Sequence, residues 1–169
     1  MLRRALDQLS ALLKDVDGDV LNDRTPCEQW TVQDLVDHIV AGPVKFSRML
    51  RGEPIDWSVP APSAGVDPAS TFRSHAAELL ASWRNKDHQS RPTGLDWFCA
   101  ELAVHTWDLA TALRRSTSDL DQEVAERGLA FMHVNLTADN RSPAFAAEQS
   151  VGDRPDTYQR IAAFAGRSV

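Results

Sequence analysis

The apolar residues of this chain recur every three to four positions in one stretch after another, and nowhere do they settle into the alternation of a half-buried strand. That patterning restricts the fold to helices packed on helices. Residues 2–16 set Leu2, Leu6, Leu9, Leu12, Leu13 and Val16 on one side and Arg3, Arg4, Asp7, Lys14 and Asp15 elsewhere, which describes an amphipathic first helix. Residues 22–29, with Pro26 among them, read as a loop. A second helix is expected over residues 31–51. Thr31 can cap it with Asp34 in a carboxylate version of the capping box, and Trp30 and Leu35 stand at the two staple positions. Gly42-Pro43 should kink or divide this helix, because proline removes a backbone donor and crowds the preceding turn.

Residues 52–68 are rich in Pro, Ser and Gly and form a connection, closed by Asp67-Pro68 as the start of a third helix. Its buried side is Phe72, Ala76, Leu79, Leu80 and Trp83, and the polar segment 85–94 ends it. The strongest helix covers residues 95–115, with Leu95, Phe98, Leu102, Leu109 and Leu113 in period and Arg114-Arg115 at its negative end. A fifth helix is expected over residues 119–136. The chain then turns irregular around Pro143, Gly152 and Pro155, until a short helix over residues 157–165 carries Tyr158, Ile161 and Phe164.

A chain of 169 residues with 43% hydrophobic and 25% charged residues suits one packed domain, expected over residues 1–169. The net charge of −6 argues against an affinity built on neutralising nucleic-acid phosphates and favours a small-molecule substrate. No segment approaches the roughly 20 apolar residues that span a bilayer, and the charged N-terminus lacks a signal-peptide core. No membrane or nucleic-acid partner is expected, and the compartment implied is the cytoplasm. Cys27 and Cys99 are too few for a disulfide framework and form no C-x-x-C pair.

Glu101 and His105 lie four apart on the strongest helix, so they point only about 40° from each other on one face. Asp108 shares that edge, and the pair borders the apolar stripe. A carboxylate and an imidazole placed there lose solvation, which a metal ion with one more ligand from a facing helix would offset. His38, beside Leu35 and Ile39 on the second helix, is the best-placed third ligand. Two histidines and one carboxylate leave coordination positions open, as catalytic rather than structural sites do. The same spacing also occurs in ordinary surface hydrogen bonds, so by itself it leaves both readings standing. His75, His88 and His133 are expected to be solvated or hydrogen-bonded. Cys27, just before a helix, is either a reactive thiol of lowered pKa or a small buried turn residue. Of the tryptophans, Trp30, Trp57, Trp83, Trp97 and Trp107, none is assigned a site role.

The strings TPCEQWTVQDLVDHIV at residues 25–40 and ELAVHTWDLATAL at residues 101–113, with the closing VGDRPDTYQRIAAFAGR, resemble the DinB-like metalloenzyme superfamily. Within it the chain is similar to the metal-binding N-terminal domain of mycothiol-dependent maleylpyruvate isomerase. The resemblance implies an antiparallel four-helix bundle with additional short helices, and His38, Glu101 and His105 as the metal ligands. Zinc is the first choice of metal, and nickel or iron fits the same donors. Mycothiol or a similar thiol is the implied co-substrate, in an S-transferase or isomerase-like reaction on a small electrophile. Asp34 or Asp108 would orient a histidine. The full isomerase carries a further C-terminal domain with no counterpart in these residues, so isomerisation of maleylpyruvate itself is not expected. The alternatives are a metal- or small-molecule-binding bundle without turnover and a purely structural one. Pairing through an exposed helix face would make a homodimer.

Overall fold

The computed structural model describes residues 1–56, 59–84, 94–141 and 144–169. In chain order it contains α1 (Leu2–Leu12), continued by a single 3-10 turn over Leu13–Asp15, then α2 (Val32–Leu50), α3 (Pro68–Arg84), α4 (Gly94–Ala112) and α5 (Gln122–Asn135). A second 3-10 turn over Ala138–Asn140 leads towards α6 (Thr157–Phe164). Among the described residues there is no strand, only an isolated bridge between Arg24 and Thr31, and the architecture is the all-helical bundle expected. The polar break at 85–93 with His88, together with Trp57 and Pro143, lies outside the described residues.

Helix α4 is the centre of the bundle, packing against α1, α2, α5 and α6. A helix surrounded in this way must be buried around its whole circumference, with any polar side chain there given a partner. From Phe98 to Ala110 every residue except Glu101 is buried. The stripe read from the sequence is therefore too narrow. It placed Asp108 at the edge of the core, whereas Asp108 is fully inside. Leu6 and Leu9 of α1, Leu35 and Phe46 of α2, Leu109 of α4 and Ile161 of α6 are all at most 1% exposed. Each such side chain contributes roughly 1.5–3 kcal/mol relative to exposure. Phe46 lies flat on Phe98, ring centroids 4.3 Å apart, locking α2 to α4.

The start of α2 forms as its sequence demands. Asp34 N donates to Thr31 Oγ1 at 3.2 Å, and Thr31 N donates to Asp34 Oδ2 at 2.9 Å. Of the kink or division expected at Gly42-Pro43, the division does not occur, and α2 runs unbroken through Pro43. Proline in a helix interior costs about 3 kcal/mol. Here Pro43 is itself buried, and Ile39, Val40, Phe46 and Leu50 around it are buried as well, so packing on both sides outweighs the lost donor.

Two glycines shape the route to the site. A Cβ on Gly128 would lie 2.8 Å from Ala100 Cα and 2.9 Å from Ile161 Cδ1, so glycine is what lets α5 approach α4 and α6 this closely. Gly166, at φ +89°, ends α6 in the left-handed conformation. Its N–H bonds Ala163 O and the N–H of Arg167 bonds Ala162 O, both at 2.9 Å, which is the Schellman pattern. That turn delivers Arg167 back into the bundle.

Candidate metal centre

Helix α2 presents His38 two turns after its cap, and α4 presents Glu101 and His105 one turn apart. His38 Nε2 lies 2.7 Å from Glu101 Oε1, and His105 Nε2 lies 3.3 Å from the same oxygen. Among the described residues, the donor atoms of these three side chains all lie within 4.8 Å of one another. Tetrahedral bonds of about 2.0–2.1 Å would set neighbouring donors about 3.3 Å apart, a spacing this cluster reaches with small side-chain adjustments. Two imidazole nitrogens and a carboxylate oxygen converging from two helices are a donor set that fits one divalent ion.

Electrostatics bind the cluster together. Burial pushes the Glu101 carboxyl up, but the charge of His105 and hydrogen bonds with His105 and His38 outweigh it and hold Glu101 well below the usual carboxylate range. Burial pushes the His105 imidazole down. Against this, the charge of Glu101 and hydrogen bonds to Asp108 and Glu101 raise it to about 9.

His105 is oriented from behind. Its Nδ1–H donates to Asp108 Oδ2 at 3.0 Å, which turns Nε2 towards Glu101 and His38. Asp108, 0% exposed, accepts from Arg167 Nε at 3.0 Å and from its second guanidinium nitrogen at 3.2 Å. Of the two aspartates expected to orient a histidine, Asp108 does so. Asp34 does not, because its carboxylate is engaged by Thr31 in the cap of α2.

Two participants had no forecast. Trp30 lies against both imidazoles, tilted at 43° to His38 with centroids 4.6 Å apart and stacked on His105 at 5.6 Å. It was read as a staple residue, and only its position just before the capped helix hinted that it sits near His38. Arg167 lies in the closing string, yet nothing in its spacing links it to residue 108.

Cys27 is not an activated thiol. Burial pushes it up to about 11, with the charge of Arg167 opposing. Its backbone carbonyl accepts from Trp30 N at 2.8 Å, so it serves the turn that carries Trp30. Cys27 and Cys99 are both free thiols. His75 Nδ1–H donates to Val40 O at 2.8 Å, and His133 packs on Phe164 at 4.3 Å. Neither joins the cluster.

On the far side of Glu101 lies a cavity of about 220 Å³ lined mainly by Trp97, Ala100, Val104, Phe131, Met132, Leu136 and Phe145, with Asn135 and Asn140 at its edge. Glu101 is shared between this cavity and the donor cluster. No helix among the described residues is long and apolar enough to cross a membrane.

A family model described as the mycothiol maleylpyruvate isomerase N-terminal domain matches residues 2–110, a span that includes all three clustered side chains. Two uncharacterized proteins of Mycobacterium tuberculosis, from different strains, are each 32% identical over 178 residues, covering 99% of this chain and 96% of their own. No solved structure is a significant match.

Proposed function

The chain belongs to the family of the mycothiol maleylpyruvate isomerase N-terminal domain, and from that premise we propose that it is a metal-dependent thiol transferase. In this reading His38, Glu101 and His105 hold one divalent ion, with zinc preferred and nickel or iron able to use the same donors. The co-substrate is a low-molecular-weight thiol of the mycothiol type, and the acceptor is a small electrophile. The sulfur forms a bond to carbon and loses its proton. The displaced electron pair leaves with a leaving group or, at an activated double bond, passes to the carbon that takes up a proton.

The observation that supports this most is the sharing of Glu101 between the donor cluster and an apolar cavity. A bound dication would supply Lewis acidity, lowering the pKa of a coordinated thiol and polarising the electrophile. Trp30 shields the two imidazoles from water on one side. Asp108 and Arg167 hold the tautomer and angle of His105. The apolar cavity walls would keep the electrophile beside Glu101.

Metal analysis of protein purified without an affinity tag tests the centre. One zinc, nickel or iron per chain is expected, with loss in Glu101→Ala, and absence of stoichiometric metal would refute it. Thiol consumption by metal-loaded protein, with mycothiol and a panel of electrophiles, tests the reaction. Inactivity with every thiol would leave a binding protein without turnover.

A further inference from the structure

The cavity beside Glu101 carries information about what it can hold. We infer that it binds a neutral, largely apolar electrophile somewhat larger than a benzene ring, and that it rejects one bearing a carboxylate. As a statement about the substrate this rests on the proposed metal–thiol chemistry, but the binding preference itself follows from the cavity alone.

Size comes first. A cavity of about 150 Å³ lined by apolar side chains accommodates benzene, and this one offers about 220 Å³. A monosubstituted or fused aromatic ring, or a branched alkyl chain of similar bulk, fits that space. Shape agrees, because Trp97, Phe131 and Phe145 provide flat aromatic surface and Val104 and Met132 provide adaptable aliphatic surface.

Charge decides the rest. Among the described residues, neither lysine nor arginine lines the cavity, and its one ionisable wall residue is the acidic Glu101. Arg141 is close in sequence to Asn140, but its guanidinium donates to Ala146 O and Phe164 O and lies 4.6 Å over the Phe164 ring. The two amides are neutral, and each spends one N–H inside the chain. Asn135 donates to Phe131 O, and Asn140 donates to Asn135 O while accepting from Thr137 N, all at 2.8 Å. A carboxylate entering here would lose water without gaining a cation and would face Glu101. A dication on the donor cluster does not change this, since Glu101 and a bound thiolate together balance its two charges.

Methyl benzoate and benzoate are probes of nearly equal shape that differ in charge. Their binding to the full chain, metal-free or loaded with zinc and a saturating thiol, can be followed by quenching of tryptophan fluorescence at neutral pH. Methyl benzoate is expected to bind at least about tenfold more tightly, a difference of about 1.4 kcal/mol. Phe131→Arg, at a half-buried wall position, should narrow or reverse that ratio. Phe145→Lys, tested by the same titration, serves if the first variant does not fold. Equal or tighter benzoate binding, no saturable binding of the ester, or ester affinity untouched by the folded variant would each overturn the inference. Zinc content of the same samples separates the two readings. Ester selectivity without stoichiometric zinc would refute only the metal centre, whereas zinc without ester selectivity would refute only the cavity assignment.

Discussion

Asp108→Asn is the most informative single perturbation, because it separates holding the fold from holding the metal. Asp108 is 0% exposed and accepts from the Arg167 guanidinium at 3.0 Å and from His105 at 3.0 Å. Asparagine keeps the shape but removes the charge and turns one acceptor into a donor. A buried pair broken on one side costs roughly 3–5 kcal/mol, because the surviving ion remains unpaired. For a chain of this length each 1 kcal/mol moves the melting midpoint by about 2–4 °C, so a drop of about 6–20 °C is expected by calorimetry. Zinc affinity, measured by competition with a chelator at a temperature where the variant is folded, should fall about 10–100-fold because His105 loses its orienting carboxylate. The double variant Asp108→Leu with Arg167→Met removes both charges together and should recover most of the stability. It should not recover zinc affinity, since Nδ1 of His105 still lacks its acceptor. Zinc affinity of folded Asp108→Asn within about twofold of the parent would refute the orienting role and reduce the pair behind His105 to a structural contact.

Gly128→Ala should destabilise the protein by about 1–3 kcal/mol in denaturant unfolding, because the new methyl meets the α4 backbone at 2.8 Å; a stabilised variant would contradict the close packing of α4, α5 and α6. Cys27 should alkylate with a pH midpoint near 11, above the ordinary thiol value because burial disfavours the thiolate. Peptide-resolved mass spectrometry should then show it reacting at pH 8 about a hundredfold more slowly than a free peptide thiol, and a midpoint below 8.5 would restore the reactive-thiol reading.

What the sequence disclosed was what depends on neighbours along the chain. The capping box at Thr31 and Asp34 is an i, i+3 relation, and it formed as read. The pair Glu101 and His105 is an i, i+4 relation and indeed shares one face, with His38 brought opposite by the docking of α2 on α4. What stayed hidden depends on tertiary geometry. The depth of Asp108 followed from α4 being enclosed by four other helices, a fact that a one-sided apolar stripe does not contain. The continuity of α2 through Pro43 was lost to the same cause, since a local rule about proline was overridden by burial around it. Trp30 and Arg167 reach the site from a loop and from a turn beyond the last helix, and neither has a periodic signature.

The ionisable groups of α4 make sense only as part of a chain of donors and acceptors. His38 meets Glu101, Glu101 meets His105, His105 meets Asp108, and Asp108 meets Arg167. Among the described residues no buried side-chain nitrogen or oxygen is left without a partner, as low-dielectric surroundings require. The consequence concerns the last third of the chain, after residue 110, where the family match stops. Arg167 reaches Asp108 only because Gly166 adopts its left-handed turn at the end of α6, and α6 is seated on α4 and α5. The closing helix is therefore part of the centre's construction. Its docking satisfies the carboxylate that fixes His105, so Gly166→Ala, which strains that turn and sets a methyl 2.7 Å from Ala146, should weaken zinc binding from a position that touches none of the three donors.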